Sequence, residues 1–167
     1  MTTTTVGLGQ WRVSRNPGES LCILGLGSAI ALCLYDPHAR AAALAHVMLP
    51  SGRDGEETPA KYCDLVVPFL LDKLGDAPAT PEDLRVAVLG GATMMCRGTS
   101  ALLEIGNRNA AAIVAALNEA GLVPTVLDVG GVQGRTVMVD VGSGRITVKV
   151  LRQPDRVFAD LTAPTEV

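Results

Sequence analysis

Aromatic residues are scarce in this 167-residue chain: one Trp, two Tyr and two Phe, or 3%. The core must therefore be built from Ala, Val, Leu and Ile. The scarcity also removes stacking platforms for bases, and no basic stripe replaces them, since the formal net charge is −3. Nucleic-acid binding is therefore disfavoured. No C-x-x-C pair exists among Cys22, Cys33, Cys63 and Cys96, and all four lie in apolar surroundings. They read as reduced, buried thiols acting as small hydrophobes. The clustered Cys/His spacing of a metal site is absent, so no metal and no cofactor is expected. Met1-Thr2-Thr3-Thr4-Thr5 lacks the basic and apolar parts of a signal peptide. The longest apolar stretch, 21–35, is interrupted by Gly25, Gly27 and Ser28. It is shorter than the roughly 20 residues needed to cross a bilayer. A cytoplasmic, non-inserted protein is the expectation.

What is present describes a globular chain. Hydrophobic residues make up 48% and charged residues 19%, which argues against disorder. The length suits one domain spanning 1–167, with a core at about 10–150 and short tails at either end. Residues 10–14 read as a short strand. Residues 21–24 and 30–35 read as paired buried strands around a glycine turn, and 41–48 as the next strand. The first third thus reads as a meander. A polar loop at 51–58 precedes a helix from Pro59 to about Leu74, which Pro68 should kink or shorten. Residues 84–89 form a strand closed by Gly90-Gly91. The clearest helix runs from about 107 to 120, with Ala110, Ile113, Val114 and Leu117 on its buried face and Gly121 at its end. Asn107, Arg108 and Asn109 read as its cap. A strand at 124–128 and a glycine loop at 130–134 follow. Then comes a hairpin of 135–141 and 145–150 around Gly142-Ser143-Gly144. From about Gln153 the chain reads as a tail.

The chemistry-bearing constellation is Gly25-Leu26-Gly27-Ser28-Ala29, followed seventeen residues later by His46. Hydrolysing a carboxamide needs a nucleophile, a base and donors for the oxyanion. A Cys–His pair supplies the first two, because imidazole stabilises the thiolate. Glycines beside the nucleophile let a substrate approach the backbone, whose free N–H groups can serve as an oxyanion hole. The layout is that of such a site, with an alanine where the thiol belongs. Neither neighbour replaces it. Ser28 points to the opposite face of a strand. Cys33 shares the parity of Ala29 but lies roughly 13 Å along the chain, and it reads as a core cysteine. The Gly25/Gly27 pair lacks the third glycine of a dinucleotide fingerprint. His38 reads as a solvated turn residue.

The ordered motifs Gly25-Leu26-Gly27-Ser28, Leu34-Tyr35-Asp36-Pro37 and Ala45-His46-Val47-Met48-Leu49-Pro50 resemble the chemoreceptor glutamine deamidase family CheD. So do Lys61-Tyr62, Gly90-Gly91-Ala92, Ile105-Gly106-Asn107-Arg108-Asn109 and Asp128-Val129-Gly130-Gly131-Val132-Gln133-Gly134-Arg135. The resemblance covers about 10–150. It implies an α/β (α+β) layered sandwich of mixed sheet and helices. It also implies hydrolysis of receptor glutamine to glutamate, and the phosphatase CheC as a partner. The family's catalytic cysteine maps to Ala29, its histidine to His46 and its threonine to Ile23, while Gly25, Gly27 and Ser28 map to the substrate-facing turn. Two catalytic places are thus changed, and loss of a covalent nucleophile removes most of the rate. The expectation is an inactive relative that binds chemoreceptor helices or a CheC-like protein. One alternative is an active protein-glutamine glutaminase whose natural residue 29 is cysteine. Another is an array adaptor that does not use the cleft.

Overall fold

The computed structural model describes residues 1–75, 81–93 and 100–163. The described strands are β1 (Thr2–Thr5), β2 (Trp11–Ser14), β3 (Glu19–Leu26), β4 (Ile30–Asp36), β5 (Ala41–Val47), β6 (Arg85–Gly90), β7 (Val126–Val129), β8 (Arg135–Asp140), β9 (Arg145–Val150) and β10 (Arg156–Asp160). The helices are α1 (Cys63–Leu74) and α2 (Ser100–Glu119). An outer sheet has the order β1-β3-β8-β9-β10, and a central sheet the order β2-β5-β4-β6-β7. Both are mixed: β1 runs parallel to β3, and β6 parallel to β7. The α+β sandwich is therefore as expected.

Side-chain alternation explains the layers. On β4, Ala31, Cys33 and Tyr35 face the outer sheet, where Leu21, Ile23, Val137, Val139 and Ile146 meet them. Ile30, Leu32 and Leu34 face the other way, onto Val66, Val67 and Leu70 of α1 and Ile113 and Leu117 of α2. The central sheet is covered on both faces, which is why β4 and β5 read as unbroken apolar runs. Every residue of both strands is buried. Burying one such Leu or Ile stabilises by about 1.5–3 kcal/mol.

Several expectations change. The apolar stretch 21–35 is not one pair of strands, because β3 lies in the outer sheet and β4 in the central one. The intervening turn carries the chain from one layer to the other. Pro59 begins a short 3-10 turn, Pro59–Lys61, and α1 starts at Cys63. Pro68 lies inside α1 without ending it. α2 begins seven residues before the expected cap, so Asn107, Arg108 and Asn109 lie within it. The expected tails hold edge strands. Thr2–Thr5 is polar, but its β-branched residues suit a strand, and it pairs with β3. Arg156–Asp160 pairs with β9 around an irregularity at Val157/Ala159. The hairpin of β8 and β9 forms as expected. Cys22, Cys33 and Cys63 are free and buried, and Cys96 lies outside the described residues. Among the described residues no helix is long and apolar enough to cross a membrane.

Candidate functional site

The glycine turn begins with a bulge. Ile23 pairs with Val137 and Leu26 with Arg135, so β3 carries one extra residue there. Gly25 sits in it with φ +63°, and a Cβ on it would meet nothing. Its glycine is needed for backbone conformation, not for space. The bulge turns Leu24 out to 60% exposure and returns Leu26 to the core.

Beyond the bulge the turn is clamped by backbone. Gly91 N–H donates to the Ala29 carbonyl at 2.9 Å, and Ala92 N–H to the Gly27 carbonyl at 3.0 Å. Gly90 has φ +111°, and a Cβ on it would lie 2.2 Å from the Ala29 oxygen. A Cβ on Gly106 of α2 would lie 2.4 Å from the Ala92 carbonyl oxygen. The Gly90-Gly91 pair and Gly106 are thus close-approach glycines. Asn109 supplies the last clamp. It is fully buried, and its Nδ2 donates to the carbonyls of Ser28 at 2.9 Å and Met48 at 3.0 Å. One side chain of α2 therefore ties the glycine turn to the segment just after His46. The Met48 and Leu49 N–H groups donate to the Lys61 carbonyl, which ties the same segment to the turn before α1.

His46 is the penultimate residue of β5, paired with Ala31 across β4. Position 46 has the parity of Ala42 and Leu44, which face the outer sheet. The side chain is only 6% exposed, and Nδ1 is buried without a hydrogen-bond partner. Burial pushes the imidazole below its ordinary pKa, and a hydrogen bond to the Val6 backbone opposes the shift.

These parts meet in an open cleft of about 530 Å³. Its floor includes Ala29 and His46, its turn Gly25, Gly27 and Ser28, and its rim Leu8 and Leu24. Leu8 is 55% exposed. Sequence positions 25, 27, 28, 29 and 46 are thus brought together. Ile23 is not among the residues lining the cleft. It is fully buried in the layer between the sheets, in the same apolar cluster as Ala29. Ala29 ends in a methyl group, so among the described residues the floor offers no thiol nucleophile. Cys33 does not compensate: it is fully buried between the sheets, and burial pushes its thiol up to about 12. Cys63, near Asn109, is also pushed up to about 12, by burial first and then by the Asp64 charge. Among the described residues no group of His, Cys, Asp and Glu could hold a metal ion.

The glycine loop at 130–134 is closed from within. Arg135 pairs with the Asp128 carboxylate at 2.7 Å and donates to the Asp128 and Gly130 carbonyls. That spends its guanidinium on the protein itself. Asp36, in the expected turn, accepts from the N–H groups of His38 and Ala39.

Motif reading includes Asn109 but assigns it to a helix cap, whereas it lies inside α2 and serves the glycine turn. Its signal is spacing: 109, 113, 116 and 117 fall on one helical stripe. A lone asparagine on that buried stripe has to find partners inside.

The family model described as CheD chemotactic sensory transduction matches residues 48–150. Curated relatives extend the match over most of the chain. A probable chemoreceptor glutamine deamidase CheD of Archaeoglobus fulgidus is 37% identical over 147 residues, covering 88% of this chain and 92% of that protein. The chemoreceptor glutamine deamidase CheD of Thermotoga maritima is 36% identical, covering 86% and 89%. A probable one of Symbiobacterium thermophilum is 39% identical, covering 87% and 91%. With clamp, histidine and cleft in the order that the motifs of this family imply, the chain belongs to the CheD chemotactic sensory transduction family.

Proposed function

We propose that this protein is a CheD-family member that binds a glutamine-bearing chemoreceptor helix and does not deamidate it. The observation that carries this reading is the contrast at the cleft floor. The turn is held by three hydrogen bonds, two from backbone N–H groups and one from the Asn109 side chain, and His46 stands in place, yet position 29 presents only a methyl group. Binding geometry is supported while the covalent route has no starting atom. Ile23 adds to the reading, since a buried aliphatic side chain stands where the family motif places a threonine. The relatives named chemoreceptor glutamine deamidases make a receptor the natural ligand. The receptor's cytoplasmic helices then put the protein in the cytoplasm. A CheC-like phosphatase that presents a similar segment would occupy the same cleft.

The test is to incubate the protein with a soluble receptor fragment and follow each glutamine by mass spectrometry. The expected result is a fragment that stays in the amide form. Conversion to glutamate beyond one equivalent of protein overturns the reading, as does a gene that encodes cysteine at position 29.

A further inference from the structure

The one Trp of the chain stands on an open sheet edge. β2 ends the central sheet, paired with β5 on one side and, among the described residues, with no strand on the other. The His46 N–H donates to the Gln10 carbonyl, so residue 10 turns its backbone toward β5. That orientation alternates along an antiparallel ladder, and Trp11 and Val13 therefore turn their N–H and C=O groups to the open side. Their side chains lie on the helix side of the sheet. Trp11 is 38% exposed and meets Phe69 of α1 edge-on, with ring centroids 5.3 Å apart, while Val13 packs against the core that the helices cover. The Lys73 ammonium lies over both rings, at 5.9 Å from Trp11 and 5.4 Å from Phe69. A groove of about 630 Å³ borders this edge. Residues 9–13 line it, and 57–60 with Phe69 complete the lining.

Arg12 is the one charged residue of β2, and it falls on the face opposite Trp11. Glu19, whose carboxyl feels the Arg12 charge, accepts from the Ser14 and Thr4 hydroxyls instead, and no described carboxylate forms an ion pair with Arg12. The other acids nearby lie off this strand: Glu57 is in the loop before α1, and Asp72 on α1 pairs with Lys73 at 3.6 Å.

We propose that β2 is a docking edge for an extended segment of a partner protein, one that sets apolar side chains beside Trp11 and Val13 and a carboxylate beside Arg12. Unpaired backbone on an edge is a template for a further strand. Strand addition supplies main-chain hydrogen bonds, and alternate side chains supply specificity. Residues of the incoming strand on the helix side meet Trp11, Val13 and Phe69, and those between them meet Arg12. An exposed Trp set against a second ring is the kind of anchor that carries binding energy. A second copy of this chain fits less well, because its β2, Trp-Arg-Val-Ser, brings no acid to Arg12. A helix would leave the edge unpaired, since its own backbone groups are already bonded. The edge acts independently of the cleft, so receptor binding stands or falls without it.

The test uses the full protein and two soluble peptides, one alternating Val with Glu and one alternating Val with Lys. Trp11, as the single Trp, reports through its fluorescence, and the amide resonances of Trp11 and Val13 report new hydrogen bonds. The expected result is saturable binding of the Val/Glu peptide below about 1 mM, at least about tenfold tighter than the Val/Lys peptide. Val13→Pro removes an outward N–H while sparing the ladder to β5, and should abolish binding. Arg12→Glu should invert the preference between the peptides. No saturable change with either peptide, equal affinities for the two, or full binding by a Val13→Pro protein that melts like the wild type overturns the proposal. So does a concentration-dependent dimer that Val13→Pro dissociates, which would give the edge to a second copy. Should Val13→Pro melt early, the exposed Arg12→Glu decides: an unchanged preference overturns the proposal.

Discussion

The two ends of the layer between the sheets are built in opposite ways. At one end Tyr35 fills the space, fully buried, and its hydroxyl donates to the Val141 carbonyl at 3.1 Å. Gly144 makes room for that ring, since a Cβ there would lie 2.7 Å from it. Four residues back along β4 the other end holds Ala31, paired with His46. There the side chains are small, a cleft opens, and a buried imidazole nitrogen has no partner. The fold can plug and satisfy an end of this layer, as Tyr35 does. Leaving the His46 end open and unsatisfied costs stability, and such costs concentrate where a ligand completes the structure.

The comparison can be broken in several ways, taken here from the largest expected effect to the smallest. Gly90→Ala should be the most damaging change, because the new methyl meets the Ala29 oxygen and the backbone is in a glycine conformation. A loss of roughly 3 kcal/mol or more is expected in urea unfolding, with ligand binding lost as the turn shifts. Asn109→Ala leaves two buried carbonyls without their donor. It should cost about 2–4 kcal/mol. If its melting temperature matches the wild type, the clamp is not structural. Tyr35→Phe removes one hydroxyl at the closed end and should cost about 1–2 kcal/mol.

His46→Leu supplies the counterpart at the open end. It removes an unpartnered polar atom together with the hydrogen bond to the Val6 backbone, two effects that offset, so near-neutral stability should change by less than about 1 kcal/mol. A loss as large as that of Tyr35→Phe would erase the distinction between the two ends. The same variant should alter the pH dependence. The folded pKa of His46 is lowered, so the unfolded chain binds the proton more readily. Wild-type stability is then complete above the usual 6.5 and falls as pH drops from there through the folded pKa. His46→Leu should flatten that part of the curve. Glu19 acts in a separate, more acidic window. Hydrogen bonds from Ser14 first and Thr4 second hold its carboxyl below 4.5, so its contribution is lost as pH falls below that value.

Much of this was legible in the sequence where one physical signal dominated. The apolar runs of β4 and β5, the alternation in β8 and β9, and the buried stripe of α2 all gave strands or helix at the right place. The motif residues at 25, 27, 28, 29 and 46 do converge on one cleft. What stayed hidden depended on contacts between distant segments. Nothing local says that β3 and β4 belong to different sheets, because each is apolar enough to pair with the other. Thr2–Thr5 is polar enough to pass for a tail until β3 offers it an edge. Gly106 weakens any local reading of a helix before 107, yet its missing side chain is what lets α2 approach the Gly91-Ala92 backbone. Asn109 looked like a cap because asparagine favours helix ends, and only the fold reveals the two carbonyls it serves. Ile23 and Ala29 read as losses in the sequence. In the structure they are a packed core residue and a buried methyl on the cleft floor.

Binding without hydrolysis is tested most directly by native mass spectrometry of the protein mixed with a glutamine-bearing receptor fragment. One spectrum reads both the complex and the mass of the fragment released from it. The expected result is a complex whose fragment keeps its amide mass after prolonged incubation. A fragment that shifts to the acid mass over many turnovers, or a spectrum without any complex, would contradict it.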